Sequence, residues 1–383
     1  LTLKKLQFLY FIGAGFSMAT KKTIDVIRIN GIYYDTRKIS EIHPGGDIFM
    51  MICNGEDGTC LFNQTHRRPF PHEKYKHLRV DKSLVDEENM PREDKQDYTL
   101  FFEIIEKTKH ICPLRGNGGF APWHYYIKVI VLLATILWAD YHLLFVERTY
   151  FHSTVLGMCM ALIGLNIMHD ANHGAVSSNP WVNRILGMTQ DYIGGSGIMW
   201  MYYHNIGHHV HTNCVGYDPD LEIPTLRLHK KKMKMGVHAY QHLYFLFIEC
   251  FFGAAHLVRS IFENWAGPVE KRQEILKDHW FRQRFLLIVA FVRCGIPLIM
   301  NPSLHTAWML FYIFLVGGFY LSFFFTLSHN FDGVKKDDVD CSEGCFVRNQ
   351  VQTSSNLCGE WLIYLNGGLN YQIEHHLFPR VHH

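Results

Sequence analysis

The sequence predicts an all-α integral membrane bundle of four spanning helices with additional interfacial helices, preceded by a small α+β domain at the N-terminus. Four apolar segments are long enough to cross a bilayer, and they form two closely spaced pairs. Residues 24–80 instead hold short β-branched runs between Gly-rich turns. The 48% apolar content, with 28 Phe and 19 Tyr, agrees with a lipid-facing surface. A mean hydropathy of −0.03 therefore indicates a mixture of membrane and soluble parts.

Charge and cysteine content exclude two classes of function. The formal charge is only +2, so no nucleic-acid partner is expected. The ten cysteines are scattered and form neither a zinc pattern nor a disulfide framework. We interpret them as reduced thiols without a catalytic role.

The predicted domain order follows these composition shifts. Residues 1–23 combine a basic start with a short apolar run, as in a signal peptide. We favour a second interpretation, in which residues 1–23 are a leader of uncertain status that includes untranslated sequence and Met18 is the true start. The reason is that the next segment must stay on the cytosolic side. Residues 24–80 form the small domain, residues 81–122 a linker and membrane approach, and residues 123–383 the membrane domain, which we expect to be C-terminally truncated.

Two helical hairpins account for the four spans. Val129–Val146 and Thr154–Met168 are separated by only seven residues, and Phe285–Met300 and Thr306–Ser328 form a comparable pair. The last segment contains no charged residue over 23 positions. The second and fourth spans therefore deliver histidines at their ends.

Three features refine this topology. Asp140 and Arg293 lie within spans, where charge is expensive, so we expect them near a polar interior or an interface. Tyr240–Val258 is a fifth apolar stretch, but a full crossing would put the histidine clusters on opposite faces. We therefore predict an interfacial or re-entrant helix there. Lysines at Lys230 and Lys231 and nearby positions mark this side as cytosolic.

Histidines cluster beside the apolar segments and form a predicted cytosolic cap. HDANH places two of them four residues apart on one helical face, HNIGHHVHTN repeats that spacing and adds a neighbour, and QIEHH supplies two more. The seven residues are His169, His173, His204, His208, His209, His375 and His376. Imidazole suits iron, copper, nickel and zinc, and seven nitrogens are too many for one ion. We predict two iron ions with positions left for O₂.

Further residues border this predicted site. His329, at the end of the last long span, is a candidate eighth ligand or a helix-terminal histidine at the interface. Gln372 stands where a histidine would make the third cluster match the second, and it acts through water or leaves one ion more open. Asp218 and Asp220 either orient ligating imidazoles or form a solvated Pro-containing turn.

A second metal site is predicted near the N-terminus. EIHPGGDIF puts His43 before a Pro-Gly-Gly turn, where glycine lets backbone pass close to a flat cofactor. His66 follows 23 residues later, and His72 is a weaker alternative. Two imidazoles on opposing loops hold haem iron from both faces, which favours electron transfer over O₂ binding.

These residues carry a family resemblance over nearly the whole chain from about residue 24. IRINGIYYDTRKISEIHPGGDIF resembles a cytochrome b5 domain, and HDANH, HNIGHHVHTN and QIEHH resemble the three histidine boxes of membrane fatty acid desaturases. A fused haem domain with Gln opening the third box is similar to the front-end desaturases, whose new double bond enters between an existing one and the carboxyl end. The resemblance implies His43 and His66 as haem b ligands, the seven box histidines as di-iron ligands, and His329 as a further ligand.

The activity implied is O₂-dependent desaturation of a polyunsaturated acyl lipid or acyl-CoA. Electrons come from NADH through NADH-cytochrome b5 reductase and the haem, at an endoplasmic reticulum membrane with both sites facing the cytosol. Trp200, Tyr202 and Tyr203 are expected either to shape an apolar tunnel or to anchor the interface. The alternatives are a fatty-acid or sphingolipid hydroxylase on the same scaffold and a non-catalytic membrane haem protein. The sequence leaves the position of the new double bond open.

Overall fold

The computed structural model describes residues 25–112, 118–223, 225–265, 280–330, 333–336, 339–357 and 359–383. The predicted leader, residues 1–23, and the predicted start at Met18 lie outside these residues. The described part is mostly helical and contains one two-stranded sheet near the N-terminus.

A β-hairpin opens the described part of the chain. Strand β1 (Val26–Ile29) pairs antiparallel with β2 (Ile32–Asp35). Asn30 and Gly31 have φ angles of 49° and 73°, as a two-residue Asn-Gly hairpin turn requires. Three short helices follow, α1 (Thr36–Ile42), α2 (Asp47–Met51) and α3 (Thr59–Thr65). This segment therefore mixes strands and helices, as predicted.

The predicted linker contains a helix of its own. One-turn 3₁₀ helices at Lys76–Leu78, Lys82–Leu84 and Glu87–Asn89 lead to α4 (Thr99–Thr108). Phe101 of α4 is fully buried and packs on Phe346 and Phe378 near the end of the chain. Apolar burial thus fixes this stretch against the C-terminal region.

One apolar cluster runs across the predicted domain boundary at residue 80. We call it the shared cluster, and its buried members include Ile27, Tyr34, Leu61, Phe101, Ile198, Ile206, Phe346 and Leu377. Side chains of the N-terminal hairpin and of α3 therefore pack in the same core as residues beside the histidine clusters. The apolar core is continuous across residue 80, and the domain boundary there stays a prediction.

The first predicted hairpin is present. Helix α5 (Trp123–Tyr141) continues through a π-helical turn at His142–Val146, and α6 (Tyr150–Ile163) continues through a second one at Gly164–Met168 into α7 (His169–Asn172). The two resulting candidate spans, Trp123–Val146 and Tyr150–Asn172, contain 24 and 23 residues. Both lengths suffice to cross a bilayer.

Short helices connect the two hairpins. They are α8 (Pro180–Gly187), α9 (Thr189–Ile193), α10 (Gly197–Met201), a π-helical segment at Tyr202–His208, 3₁₀ turns at Pro219–Leu221 and Gly236–Tyr240, and the pair α11 (Gln241–Cys250) and α12 (Phe252–Trp265). The chain bends by 61° between Gly236–Cys250 and Phe252–Glu263. Because of this bend, the fifth apolar stretch is not one straight membrane crossing. The bend is consistent with the predicted interfacial or re-entrant helix.

The second hairpin and the C-terminal helices complete the described fold. They are α13 (Trp280–Ala290), a π-helical turn at Phe291–Gly295, α14 (Ile296–Met300), α15 (Leu304–His329), α16 (Phe346–Thr353), a 3₁₀ turn at Glu360–Leu362, α17 (Ile363–Asn366) and α18 (Gln372–Leu377). Phe281–Met300 and Leu304–His329 are candidate spans of 20 and 26 residues. The described residues therefore contain four helices long and apolar enough to cross a membrane, as predicted.

Close packing and one ion pair hold the spans together. Helices α6 and α15 meet at Gly157 and Gly317, where a Cβ on Gly157 would lie 2.6 Å from the Ile313 carbonyl oxygen. Small residues permit this backbone approach in a lipid environment. Arg293 donates two hydrogen bonds of 2.7 and 2.8 Å to the Asp140 carboxylate. The two charged residues predicted to seek a polar interior thus neutralise each other.

Candidate metal centre

The first histidine pair lies where α6 gives way to α7. The backbone N–H of His173 donates to the carbonyl of His169 at 3.1 Å, and their ring centroids are 4.8 Å apart. Both side chains are buried. The four-residue spacing therefore places the two imidazoles side by side, as predicted.

The second cluster departs from the predicted α-helical geometry. His204 and His208 lie in the π-helical segment, and the His209 N–H donates to the His204 carbonyl at 2.8 Å, five residues back. This wider turn brings the Nε2 atoms of His204 and His209 within 3.1 Å. His208 points elsewhere, with its Nε2 3.3 Å from Nε2 of His329. The sequence predicts that His204 and His208 act as a pair, but the structure places them in two different groups.

The third cluster divides in the same way. His375 and His376 follow each other on α18, and their ring planes are 88° apart. Nε2 of His375 lies 3.1 Å from Nε2 of His209, whereas the His376 ring lies 4.7 Å from that of His329. Two adjacent residues thus serve two neighbouring groups.

The imidazole nitrogens form two groups, and within each group the ligand nitrogens lie within 4.8 Å of one another. The first group contains His169, His173, His204 and His375, and the second contains His208, His329 and His376. His209 lies between them, close to His204 and His375 and stacked on His376 with ring centroids 4.3 Å apart. The structure therefore brings together all eight histidines that the sequence singled out.

In every histidine of the second group, Nδ1 has a hydrogen-bond partner. Nδ1 of His208 lies 3.2 Å from both Asp218 oxygens, and Nδ1 of His329 donates to the Thr353 carbonyl at 3.0 Å. Nδ1 of His376 lies 3.2 Å from the Gln350 side-chain oxygen. Such contacts fix the tautomer and leave Nε2 with a lone pair, which is the usual arrangement of metal-binding imidazoles.

Protonation states support ligation by most of these histidines, with His208 as the exception. Burial, together with neighbouring imidazoles, lowers the pKa far below the ordinary value in five histidines, His173, His204, His209, His375 and His376. Neutral rings retain the lone pair that a metal needs. Burial opposes charge on His208 as well, but Asp218 and Asp220 raise its pKa to about 9.

Several buried nitrogens in this region have no hydrogen-bond partner within the described residues. They include both ring nitrogens of His169, Nε2 of His173 and Nε2 of His376. Buried polar atoms in proteins are almost always satisfied. Metal–imidazole bonds of about 2.1 Å bring neighbouring ligand nitrogens to spacings such as those seen here. The donor set therefore fits two transition-metal ions.

The predicted accessory residues have different surroundings. Asp218 is buried, and Asp220, although exposed, has an oxygen 3.3 Å from Nδ1 of His208. Gln372 donates its side-chain amide to Nε2 of His329 at 2.8 Å. All three therefore contact histidines of the second group and none from the first.

Sequence reasoning missed Asp170. One Asp170 oxygen lies 3.5 Å from Nδ1 of His169, and the other lies 2.7 Å from Nδ1 of His383. Nε2 of His383 lies 2.8 Å from the Lys128 ammonium. The position of Asp170 directly after a box histidine was the available signal, but His383 and Lys128 are distant in sequence.

A largely apolar cavity lies in the membrane domain beside Trp200, a neighbour of the first group. Its lining residues include Met160, Met168, Gly194, Trp200, Phe314 and Leu321. The Trp200 ring stacks on His204 at 4.2 Å. Trp200 thus lines the cavity, whereas the Tyr202 hydroxyl donates to Glu56 and the Tyr203 hydroxyl to Glu263. Of the three predicted aromatics, only Trp200 is among the described residues that line this cavity.

The N-terminal histidines also face each other. The ring centroids of His43 and His66 are 6.0 Å apart. Nδ1 of His43 donates to the Gly46 carbonyl at 2.8 Å, and Nδ1 of His66 to the Phe62 carbonyl at 3.0 Å. Rings that bind one iron from opposite faces lie about 6 Å apart, given two metal–nitrogen bonds of about 2 Å. This spacing, with both Nδ1 atoms bound to carbonyls, therefore fits a haem.

Burial lowers the pKa of both rings, to about 4 for His66. Each is therefore neutral and able to bind a metal. The weaker alternative, His72, is engaged differently, with Nδ1 2.7 Å from the Tyr34 hydroxyl and Nε2 3.1 Å from the Asn30 amide. His66 is thus the residue that the fold pairs with His43.

Comparison with known proteins gives a consistent result. Residues 148–383 match the family described as fatty acid desaturase. An acyl-lipid (7-3)-desaturase of Rebecca salina is 38% identical over 373 residues, which cover 94% of this chain and 81% of that protein. The enzyme of the same name from Diacronema lutheri is 36% identical, with coverage of 95% and 83%. An acyl-lipid (8-3)-desaturase of Physcomitrium patens is 27% identical, with coverage of 92% and 78%.

Proposed function

The chain belongs to the fatty acid desaturase family and is an oxidoreductase of the membrane, and on this premise we propose that it is a front-end desaturase of polyunsaturated acyl lipids. The observation that carries the proposal is the convergence of eight histidines, seven in two groups and His209 between them, beside an apolar cavity. An acyl-lipid substrate is favoured over acyl-CoA because the relatives from Rebecca salina and Diacronema lutheri are named acyl-lipid (7-3)-desaturases.

The metal centre would hold two iron ions. His169, His173, His204 and His375 would bind one ion, and His208, His329 and His376 the other, with His209 within reach of either. When bound, the irons supply the redox chemistry that couples reduction of O₂ to removal of two hydrogens from the acyl chain. Asp218 holds Nδ1 of His208, and the Thr353 carbonyl holds Nδ1 of His329, so that both Nε2 atoms face inward.

The chain's own residues position the substrate and exclude water. Most residues that line the cavity are apolar, with Gln190 and His256 as polar exceptions, which suits a hydrocarbon chain and limits the access of water to the reacting carbons. Trp200 lies against His204, so a chain in the cavity runs toward the first histidine group. Fixing one carbon pair beside the metal centre replaces a random encounter by a defined orientation.

Electrons would enter through the N-terminal segment. His43 and His66 would bind haem b with their free Nε2 atoms, leaving no open position for O₂. NADH-cytochrome b5 reductase would reduce this haem. One desaturation consumes O₂, two electrons and two protons, and it yields two water molecules and the new double bond.

The proposed setting is the endoplasmic reticulum, with both metal sites on the cytosolic face. The second and fourth spans end at the metal centre, so the eight histidines share one end of the bundle. The basic run at Lys230–Lys232 lies on the connection between the second and third spans, on the same side. Positive charge near spans favours the cytosolic side.

Yeast expression tests the proposal. Cells that express the chain, extended by any further native sequence, are fed single polyunsaturated fatty acids, and lipid-bound products are analysed by gas chromatography–mass spectrometry. We expect a new double bond on the carboxyl side of an existing one. Hydroxylated fatty acid would support the hydroxylase, and protein that binds haem but no iron would support the non-catalytic haem protein.

Two substitutions serve as controls in the same assay. His173→Ala and His376→Ala each remove one imidazole from a different group, so both are expected to abolish turnover. His305→Ala changes an exposed histidine in the first turn of α15 and should leave the product unchanged. Activity retained in either box variant would contradict the two-ion assignment.

A further inference from the structure

Gln64 connects the N-terminal segment to the metal centre. It lies on α3 and is 4% exposed. Its side-chain amide nitrogen lies 3.2 Å from the backbone carbonyl oxygen of His376 and 3.4 Å from that of His209, and it donates to both. These two histidines come from different boxes. One glutamine therefore holds the second and third boxes to the same helix.

The same helix ends at a proposed haem ligand. His66 follows Gln64 by two residues, a distance of at most about 7 Å along the chain. Nδ1 of His66 donates to the Phe62 carbonyl, so the ring is fixed to α3 itself. Helix α3 is thus a short rigid element with the haem site at its end and the metal centre on its flank.

Other hydrogen bonds and apolar packing support this connection. Arg380, four residues after His376, donates to the Thr65 carbonyl at 3.4 Å. Gln350 donates to the His209 carbonyl at 3.1 Å. Around these polar contacts, Leu61 of α3 belongs to the shared cluster that also contains Leu377. Buried contacts of this kind keep the two elements at a fixed distance.

The bonding of Gln64 indicates a specific role for its donor group. Its side-chain oxygen is buried and has no hydrogen-bond partner within the described residues. Such an orphan acceptor is unfavourable and rare in folded proteins. The hydrogen bonds of this amide are therefore those that its N–H donors make to the two box carbonyls.

We propose that Gln64 is the positioning residue that couples the haem site to the metal centre within one chain, so that electrons pass across the contact between α3 and the boxes. This inference rests on the proposed function. In each transfer one electron leaves a ferrous haem, which becomes ferric, and one ferric ion of the metal centre becomes ferrous. No atom moves, two transfers serve each desaturation, and the reductase with NADH restores the haem.

Stopped-flow spectroscopy on the full-length, iron- and haem-loaded protein in nanodiscs tests this inference. The haem is reduced anaerobically with NADH and reductase, and the protein is then mixed with O₂ and an acyl-lipid substrate. Gln64→Met keeps the side-chain volume but removes both donors. We expect the substrate-dependent reoxidation of the haem to slow by about tenfold, with unchanged iron content, haem content and haem spectrum.

Two further variants sharpen the test. Gln96→Met is the matched control, because Gln96 is also a buried glutamine but contacts Cys60 and Asn349 instead of the boxes. It should reoxidise at the rate of the unmodified protein. Gln64→Glu places a carboxylate against two carbonyl oxygens and should slow reoxidation at least as much as Gln64→Met. It keeps the test decisive if Gln64→Met does not fold.

The outcomes separate this inference from the proposed function. Unchanged reoxidation in Gln64→Met or Gln64→Glu, with haem and iron retained, would overturn the inference alone. Loss of iron in the Gln64 variants but not in Gln96→Met would also overturn it, since Gln64 would then only support the metal ligands. Absence of haem, iron or substrate-dependent reoxidation in the unmodified protein would overturn the proposed function, and this inference with it.

Discussion

The Nε2 atoms of His208 and His329 lie 3.3 Å apart, although the residues are 121 positions apart in the chain. Neither atom faces water, because both side chains are buried. A metal cation between the two nitrogens would give each lone pair a partner. This contact defines the second group and underlies the first prediction.

Removing His329 should empty one of the two iron positions. His329→Ala takes one of three nitrogens from the second group and leaves the first group complete. We expect iron content, measured by inductively coupled plasma mass spectrometry, to fall from about two ions per chain to about one. His305→Ala is the control, and two retained irons in His329→Ala would show that His329 is no ligand.

Haem binding should persist well below neutral pH. Burial lowers the pKa of His66 to about 4, so the ring stays neutral at a pH where an exposed histidine is protonated. We expect the Soret absorbance to hold down to about pH 5 and to disappear as the pH falls through about 4. Loss of haem already near pH 6.5 would contradict this assignment.

The sign of the effect on stability follows from linkage. Between about pH 6.5 and pH 4 the unfolded chain takes up a proton on this histidine that the folded chain does not. The stability of the haem-free protein should therefore fall as the pH drops through this window. His66→Gln should weaken that dependence and abolish haem binding, whereas His72→Gln should retain the haem.

The crossing of α6 and α15 should tolerate no added side chain. Gly157→Val would place Cβ 2.6 Å from the Ile313 carbonyl oxygen and 2.9 Å from the Val316 side chain. Overpacking of this kind typically destabilises by about 1–3 kcal/mol. We expect a lower melting temperature in detergent, measured by tryptophan fluorescence. Gly236→Ala meets no atom within 4 Å and should melt like the unmodified protein.

Chain-length preference should respond to the far end of the cavity. Met160 lies two helical turns before Met168 on the same continuous span and lines the cavity. Met160→Ala enlarges that end, so turnover should shift toward longer acyl chains while iron content stays constant. The measurement is the product ratio from a mixture of fatty acids of different length.

A matched change outside the cavity controls for general loss of stability. Met300 is 64% exposed at the end of α14, and Met300→Ala should leave the product ratio unchanged. An unchanged ratio in Met160→Ala would mean that the acyl chain does not occupy this cavity.

Much of the architecture followed from short-range patterns. Uninterrupted apolar runs predicted the spans, because length alone decides whether a helix can cross a bilayer. The sequence indicates that Asp140 and Arg293 need polar surroundings, but it does not indicate that they pair with each other. The box histidines are predicted to converge because each box lies beside an apolar segment and, by the parity of the spans, on one side of the membrane.

The parts that sequence could not predict depend on tertiary contacts. The spacing of His204 and His208 suits an α-helix, but packing against the other boxes favours a π-helical segment, which regroups them. Asp170 contacts His383, 213 positions away. No local pattern encodes either result, because the partners become neighbours only after the chain folds.

The shared cluster also bears on how this protein can be engineered. Exchanging the N-terminal segment for that of another protein at residue 80 would cut through a continuous apolar core and expose side chains such as Ile206 and Leu377. Such a chimera would require complementary substitutions on both sides of the junction. The N-terminal segment is therefore an inseparable part of the scaffold and not an interchangeable module.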